Sequence, residues 1–503
     1  MSNISQVLDP IIDAPESESL TYALLSQQSI LAEKPYSEIP NLLLNISSVL
    51  VSKYIQNIED RKGILVNIIQ SGIDGILIDL NYDTENNIWL INNQSDEELL
   101  NFILSTVDLF VYEKITLENF KYLNILFNVV NKDDIKITDD MLNQLEDIVI
   151  QNINQKFIFT EADLDKQSGW PSLAQLLIYM NKQVNFQFVN IDSTNITTNI
   201  MSNKYIKFIN ENNQNYTCPF VQSTDTKVLT YMNSNNYTVD SLNKAIYCGY
   251  KTIISTPFEK LNETLKLINS SVVWGWGFNQ PVIRDLNYGE YAGFANRFGR
   301  GAFYGCASLN LSKAFGNDYN ETENLNDYLW WDADDCYQPK RSLCKKPGEP
   351  NSWAISSEDT DFFDLKSNSF ANSESLGCPD GTLFALPSTP IEMLSMFDYL
   401  QTIKNETLIN IIKNNGIWIE LNAVSFPTCW VVGDHSTACP YLQFINVRNF
   451  VKMLNPLVAT AVCLLAVGFF LKIKTLFIQN DNKQWKRYTK EISLKGEPDG
   501  VPY

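Results

Sequence analysis

The chain is predicted to be an α/β protein. It combines a TIM-barrel-like ectodomain with a smaller disulfide-rich α+β module and one transmembrane helix. Three observations predict this: strands separated by helices over residues 20–282, a cysteine- and aromatic-rich stretch over 283–450, and one long uncharged segment near the C-terminus. At 503 residues the chain is too long for one ordinary domain. Its 45% hydrophobic and 12% aromatic content supports packed cores and excludes a disordered chain. A net charge of −20 suits phosphate backbones poorly, so direct nucleic-acid binding is not expected. His435 is the only histidine, which excludes mechanisms that need two imidazoles.

In the first region, short β-branched, aromatic and leucine-rich runs predict strands at 21–25, 76–80, 123–129, 184–189, 252–255 and 272–276. Helices lie between them. Ser95 with Glu98 forms a capping box ahead of Leu99, Leu100, Ile103, Leu104 and Val107. Thr138 caps a second helix, with Asp139 and Asp140 in its first turn and Leu142, Leu145, Val149 and Ile153 on one face. Strand–helix alternation calls for a parallel sheet, and about 260 residues is the usual size of an eightfold barrel. Six strands are evident rather than eight. From 283 onward, helical periodicity is scarce apart from 391–411, and a small module of short strands and long loops is expected.

Residues 453–471 contain no charge. As a helix they would be roughly 28 Å long, close to the thickness of a hydrocarbon core. A transmembrane helix is therefore expected over 453–472, followed by a cytosolic basic tail over 473–503. From residue 472 onward there are 7 basic and 4 acidic residues, whereas residues 1–471 carry a net −23. The basic flank places the tail in the cytosol and the ectodomain in the lumen or outside, a single-pass type I arrangement. Residues 1–19 have neither the basic nor the apolar region of a signal peptide, so an incomplete N-terminus is expected.

Cys463 lies within the uncharged segment. The other eight cysteines, Cys218, Cys248, Cys306, Cys336, Cys344, Cys378, Cys429 and Cys439, are an even number suited to four disulfides. Pairing of neighbours gives 218 with 248, 306 with 336, 344 with 378 and 429 with 439. No Cys-x-x-Cys pair accompanies them, so no zinc site is expected. Glycosylation sequons stand at Asn3, Asn45, Asn93, Asn195, Asn215, Asn236, Asn262, Asn269, Asn310, Asn320 and Asn405, none in the tail.

Chemistry is sparse. Asp79 ends a predicted strand, where barrel enzymes place acids or metal ligands, and Asp83 and Glu85 follow it. Paired carboxylates there would suit a glycosidase. Trp170, Trp274 and Trp276 are candidates for a pocket mouth that stacks on sugar rings. Gly299, Gly301 and Gly305 lack the lysine of a phosphate loop. No cofactor or metal is expected.

One ordered series of landmarks runs along the chain. It includes Ser168-Gly169-Trp170-Pro171-Ser172-Leu173, Cys218-Pro219, Val273-Trp274-Gly275-Trp276 and Gln280-Pro281. Cys378-Pro379, Trp418 to Asn422, Cys429-Trp430, Cys439-Pro440-Tyr441 and Gly500-Val501-Pro502 complete it. The series resembles the fungal maintenance of telomere capping protein 6 family. That resemblance implies a single-pass type I membrane glycoprotein, a barrel like those of phospholipase C-like phosphodiesterases, and a genetic link to telomere capping. Such barrels use two histidines, and residues 20–282 contain none. A non-catalytic membrane glycoprotein with an unknown protein or glycan ligand is therefore expected. The alternative is a carboxylate-dependent hydrolase acting on glycans or glycolipids.

Overall fold

A computed structural model describes residues 18–51, 58–92, 98–113, 121–130, 137–189, 199–210, 227–281, 304–315, 325, 328–349, 351–365, 378–425, 429–435, 437, 460, 464–468, 471 and 482–494. The chain divides into two units, residues 1–437 and 438–503.

The first unit holds two sheets. Ten strands make the larger one: β1 (Leu42–Asn45), β2 (Gly75–Asp83), β3 (Ile88–Ile91), β4 (Leu123–Val129), β5 (Ile158–Phe159), β6 (Val184–Phe188), β7 (Ile200–Met201), β8 (Ile206–Asn210), β9 (Leu229–Ser234) and β10 (Lys251–Ser255). Their order is β5-β6-β4-β2-β1-β10-β9-β8, with β7 also on β6 and β3 added to β2. Every pairing is parallel except the β2–β3 hairpin. The first and last strands lie side by side, Leu43 opposite Ile253, as in a barrel. No pair of described strands joins β7 to β8, so the barrel is partial.

The strand period of two sorts the residues. Leu42, Leu44, Ile76, Ile78, Ile125, Phe127, Val184 and Phe186 face outward into one core with the surrounding helices. Leu43, Leu77, Leu126, Tyr231 and Ile253 face inward and form a second core with Tyr36, Tyr122 and Trp170.

The expected strands at 76–80, 123–129, 184–189 and 252–255 fall on β2, β4, β6 and β10. Residues 21–25 do not form a strand: they lie within the helix Glu18–Leu31. Five apolar-rich residues fit either state, and length decides for the helix. Residues 272–276 are a loop with one isolated bridge, Trp276 to Trp331, because their tryptophans are held by the second sheet and not by the first. β1, β8 and β9 gave too short or too polar a pattern to read. Ser95 lies outside the described residues, but the helix Glu98–Asp108 follows it with the expected face buried. Thr138 caps Asp139–Asn152 by accepting the Met141 N–H at 3.4 Å.

The second sheet has seven strands: β11 (Cys306–Asn310), β12 (Trp330–Asp334), β13 (Arg341–Lys345), β14 (Trp353–Ile355), β15 (Leu383–Phe384), β16 (Ile417–Asn422) and β17 (Val431–Val432). The main order is β12-β11-β16-β13-β14. Two of the expected disulfides are present, Cys306–Cys336 and Cys344–Cys378, with Cα separations of 5.2 and 5.9 Å. Cys248 and Cys429 are disulfide-bonded as well. Cys218 and Cys439 lie outside the described residues. The helical periodicity over 391–411 falls on two helices, Pro390–Gln401 and Glu406–Asn415, and Asn405 caps the second by accepting the Thr407 and Leu408 N–H groups.

The two sheets share a core. Trp331 of β12 meets Trp274 and Trp276 edge-on at 5.2 and 5.7 Å, and Trp276 meets Trp430 at 4.9 Å. Gly275 lies flat against Trp331, where a Cβ would come within 2.7 Å of the ring. Glu392 adds a buried ion-pair node with Lys34 at 3.2 Å and Lys345 at 2.9 Å.

In the second unit, the expected span 453–472 lies mostly outside the described residues. Within it, Thr460, 464–468 and Leu471 are helical, and Leu464, Leu465, Val467 and Leu471 are exposed. Cys463 is not among the described residues. No helix of the described residues is long and apolar enough to cross a membrane. The tail contains the helix Asn482–Leu494.

The tight tryptophan contact makes a test. Gly275→Ala should lower stability by about 1–3 kcal/mol through overpacking against Trp331, read as a shift of the denaturant midpoint at unchanged slope.

Candidate functional site: the polar mouth of the barrel

Inward positions at the C-terminal ends of five neighbouring strands carry Asn233 (β9), Ser255 (β10), Asn45 (β1), Asp79 (β2) and Asn128 (β4). Their registers place Asn45 opposite Ser255 and Asp79 opposite Asn128. All five are half-buried. They line the end of a parallel barrel where loops and ligands meet.

Asp79 is the centre of this ring. Asn45 Nδ2 donates to its Oδ2 at 2.9 Å, and Asn128 Nδ2 donates to its Oδ1 at 2.6 Å. The Asp79 N–H donates to Ser47 Oγ at 2.6 Å, and the Ser47 N–H donates to Asn45 Oδ1 at 3.0 Å. The carboxylate is thus gripped on both oxygens by carboxamides, and that of Asn45 is itself oriented by the Ser47 N–H. On the other flank, Ser255 Oγ approaches Asn233 Oδ1 at 3.5 Å. The ring holds one carboxylate, three carboxamides and a hydroxyl. This set can donate and accept hydrogen bonds in a fixed array but offers no proton-transfer pair. Among the described residues no group of three or more His, Cys, Asp or Glu could hold a metal ion.

Below the mouth, buried amides share the barrel interior with the inward apolar core. Asn124, Asn185 and Gln187 are fully buried, and neither side-chain polar atom of Asn185 has a hydrogen-bond partner among the described residues. At the base, Lys251 is buried beneath Tyr36, with Nζ 4.7 Å from that ring's centroid. Its Nζ donates to Tyr36 O at 3.0 Å, to Ile39 O at 2.7 Å and to Asn41 Oδ1. Burial pulls the Lys251 ammonium down to about 7, with the Asp74 carboxylate opposing the shift.

The expected tryptophans do not join Asp79. Trp170 packs on Tyr36 at 5.2 Å and donates its Nε1–H to Lys227 O at 2.8 Å, so it plugs the base. Trp274 also lies on the base side, and Trp276 is buried in the seam with the second sheet. Each is at most 4% exposed, which leaves no face for a sugar ring. Their apolar bulk was worth more in the cores than at a mouth. Asp83 and Glu85 sit at the exposed tip of the β2–β3 hairpin. There Asp83 accepts from Asn86 and from the Glu85 and Asn86 N–H groups, led by the Asn86 side chain, and its carboxyl titrates below the ordinary range. His435 stacks edge-on against Phe363 at 5.6 Å, in the second sheet's surroundings. Two of the sequon asparagines are hydrogen-bonded to carboxylates: Asn45 Nδ2 donates to Asp79 inside the barrel, and Asn310 Nδ2 donates to Asp332 at 2.8 Å. Asn236 and Asn405 are exposed, while Asn262 buries an unpartnered Oδ1. Asn269 lies in the helix Leu261–Ser271, and Asn3, Asn93, Asn195, Asn215 and Asn320 lie outside the described residues. Asn45 is legible in the sequence only as a sequon, and Asn128 and Asn233 escaped sequence reading. The signal that could have found them is asparagine recurring at strand C-termini.

A partial parallel barrel with a carboxamide-lined mouth, joined to a disulfide-linked second sheet, defines the class of the protein. The chain belongs to the family described as the MTC6 partial TIM-barrel domain, whose model matches residues 14–274. It is similar to maintenance of telomere capping protein 6 of Vanderwaltozyma polyspora, 26% identical over 552 residues, covering 99% of this chain and 96% of that protein. The protein of the same name from Saccharomyces cerevisiae is 23% identical over 519 residues, covering 97% and 92%. Among solved structures, a Ca2+-dependent phosphatidylinositol-specific phospholipase C from Streptomyces antibioticus covers 47% of this chain and 97% of its own. Its sequence identity is 9% and its TM-score 0.29.

The buried lysine predicts a pH dependence. Between its folded value near 7 and the ordinary 10.5, the unfolded chain holds this proton and the folded chain does not. Stability should therefore rise with pH, by up to about 2 kcal/mol from pH 7 to 9 from this group. Chemical unfolding at the two pH values should show the rise, and Lys251→Met should remove that part of it.

Proposed function

We propose that this chain is a non-catalytic, membrane-anchored glycoprotein whose barrel mouth binds a hydroxyl-rich ligand such as a glycan. The observation that carries the reading is the chemistry of the mouth. Three carboxamides, one hydroxyl and a carboxylate held by two amides suit the donor-and-acceptor pattern of a polyol. No imidazole or second carboxylate is among the ring residues. The runner-up, a carboxylate-dependent hydrolase, needs a partner for Asp79. Asp83 lies four residues further along an extended strand, roughly 13 Å away. Carboxylate pairs in glycosidases stand at most about 9.5 Å apart.

Anchoring rests on the uncharged run 453–471, its basic flank, and the exposed leucines and valine at its helical positions. The ectodomain would then be luminal or extracellular, and direct nucleic-acid contact does not enter. The relatives' name ties the family to telomere capping maintenance, and from a luminal position any such effect would be indirect.

Two measurements test this. A panel of soluble glycosides and phosphodiesters should show no turnover that Asp79→Asn abolishes; such turnover would refute the non-catalytic reading. Binding of oligosaccharides or inositol should instead weaken about tenfold in Asp79→Ala. Separately, a C-terminally tagged chain should lose mass on glycosidase treatment, and Asn236→Gln with Asn405→Gln should shrink that shift. An unshifted band together with freely alkylated cysteines would place the ectodomain in the cytosol or nucleus.

A further inference from the structure

At the opposite end of the barrel from the mouth lies a cavity of about 450 Å³. Its walls are largely apolar, with Leu31, Ile69, Val272 and Trp274 among them. Two charged residues reach it from the positions just ahead of strands: Asp74, before β2, and Lys121, two residues before β4. Both are deep in the protein, yet both keep some accessible surface, because the cavity opens on them.

The two charges do not pair with each other. No ion pair joins them, although each feels the other's field. Asp74 Oδ2 accepts the Leu42 N–H at 2.9 Å, and its Oδ1 takes no hydrogen bond from a described residue. Lys121 Nζ donates to Ile69 O, which leaves two of its three hydrogens. Burial raises the Asp74 carboxyl to about 6 and lowers the Lys121 ammonium to about 8, so at neutral pH both stay mostly charged at a desolvation cost. A purely apolar guest would worsen that cost. A singly charged guest would relieve only one group.

We infer that this basal cavity is a binding site for a small zwitterion with an apolar body, its ammonium on Asp74 and its anionic group on Lys121. Apolar amino acids and the headgroup end of an ethanolamine phospholipid share this chemistry. Tyr36 and Tyr122, which also line the cavity, meet edge-on at 4.8 Å.

Calorimetric titration of the full chain tests the site. The probes are L-phenylalanine and dihexanoyl phosphatidylethanolamine. The single-charge controls are N-acetyl-L-phenylalanine and phenylethylamine. Saturable binding of a zwitterion is expected, with each control weaker by about tenfold or more. Asp74→Asn should erase the preference over the N-acetyl analogue, and Lys121→Met the preference over the amine. Binding of the amino acid alone assigns a free metabolite; binding of the lipid alone assigns a membrane source. Either supports the site. If neither zwitterion binds, or if the controls bind the unmutated chain equally well, the inference is overturned, and this comparison needs no variant to fold.

Discussion

One lysine side chain ties the base of the barrel together. Lys251 begins the last strand, and its three acceptors lie on residues 36–41, the segment that leads into the first. A lysine buried this far costs desolvation, and only a full set of acceptors makes the position tolerable. Those bonds span more than 200 residues of sequence and fix β10 beside β1. Everything above follows from that junction. The β1–β10 register sets Asn45 opposite Ser255, and β2 then carries Asp79 into reach of the Asn45 amide.

The two ends of the barrel have been given opposite chemistry by the same strand geometry. At the C-terminal end, a half-buried polar side chain follows the last apolar inward residue of β1, β2, β4, β9 and β10. At the N-terminal end, Asp74 and Lys121 stand just ahead of β2 and β4 and Lys251 begins β10, with Tyr36 and Tyr122 beside them. Between the ends, Leu43, Leu77, Leu126 and Ile253 share the interior with amides such as Asn124. A purely aliphatic filling would have been the ordinary solution for a small barrel.

The second sheet is less an appendage than a clamp. Its Trp331 fills the gap between Trp274 and Trp276, and Gly275 is small because the indole lies against it. Glu392 brings Lys34 of the barrel side and Lys345 of β13 to one carboxylate. The disulfides close loops of 30 and 34 residues within the second sheet region, where few helices exist to restrain the chain.

The sequence by itself determined the alternation of strand and helix, four inward-and-outward strands, the capped helix behind Thr138 and the neighbour pairing of Cys306 with Cys336 and Cys344 with Cys378. Each of these is local, written in period, cap or spacing within some 35 residues. The family resemblance was equally legible, since it rests on ordered motifs. Only the tertiary structure decided the rest. It turned 21–25 into helix, because a short apolar run takes whichever state its neighbours bury. It sent Trp170, Trp274 and Trp276 into cores, because a residue's worth in packing depends on partners hundreds of positions away. It also gathered Asn45, Asp79 and Asn128 into one ring, a juxtaposition fixed by parallel register across strands that the sequence separates by more than 30 residues.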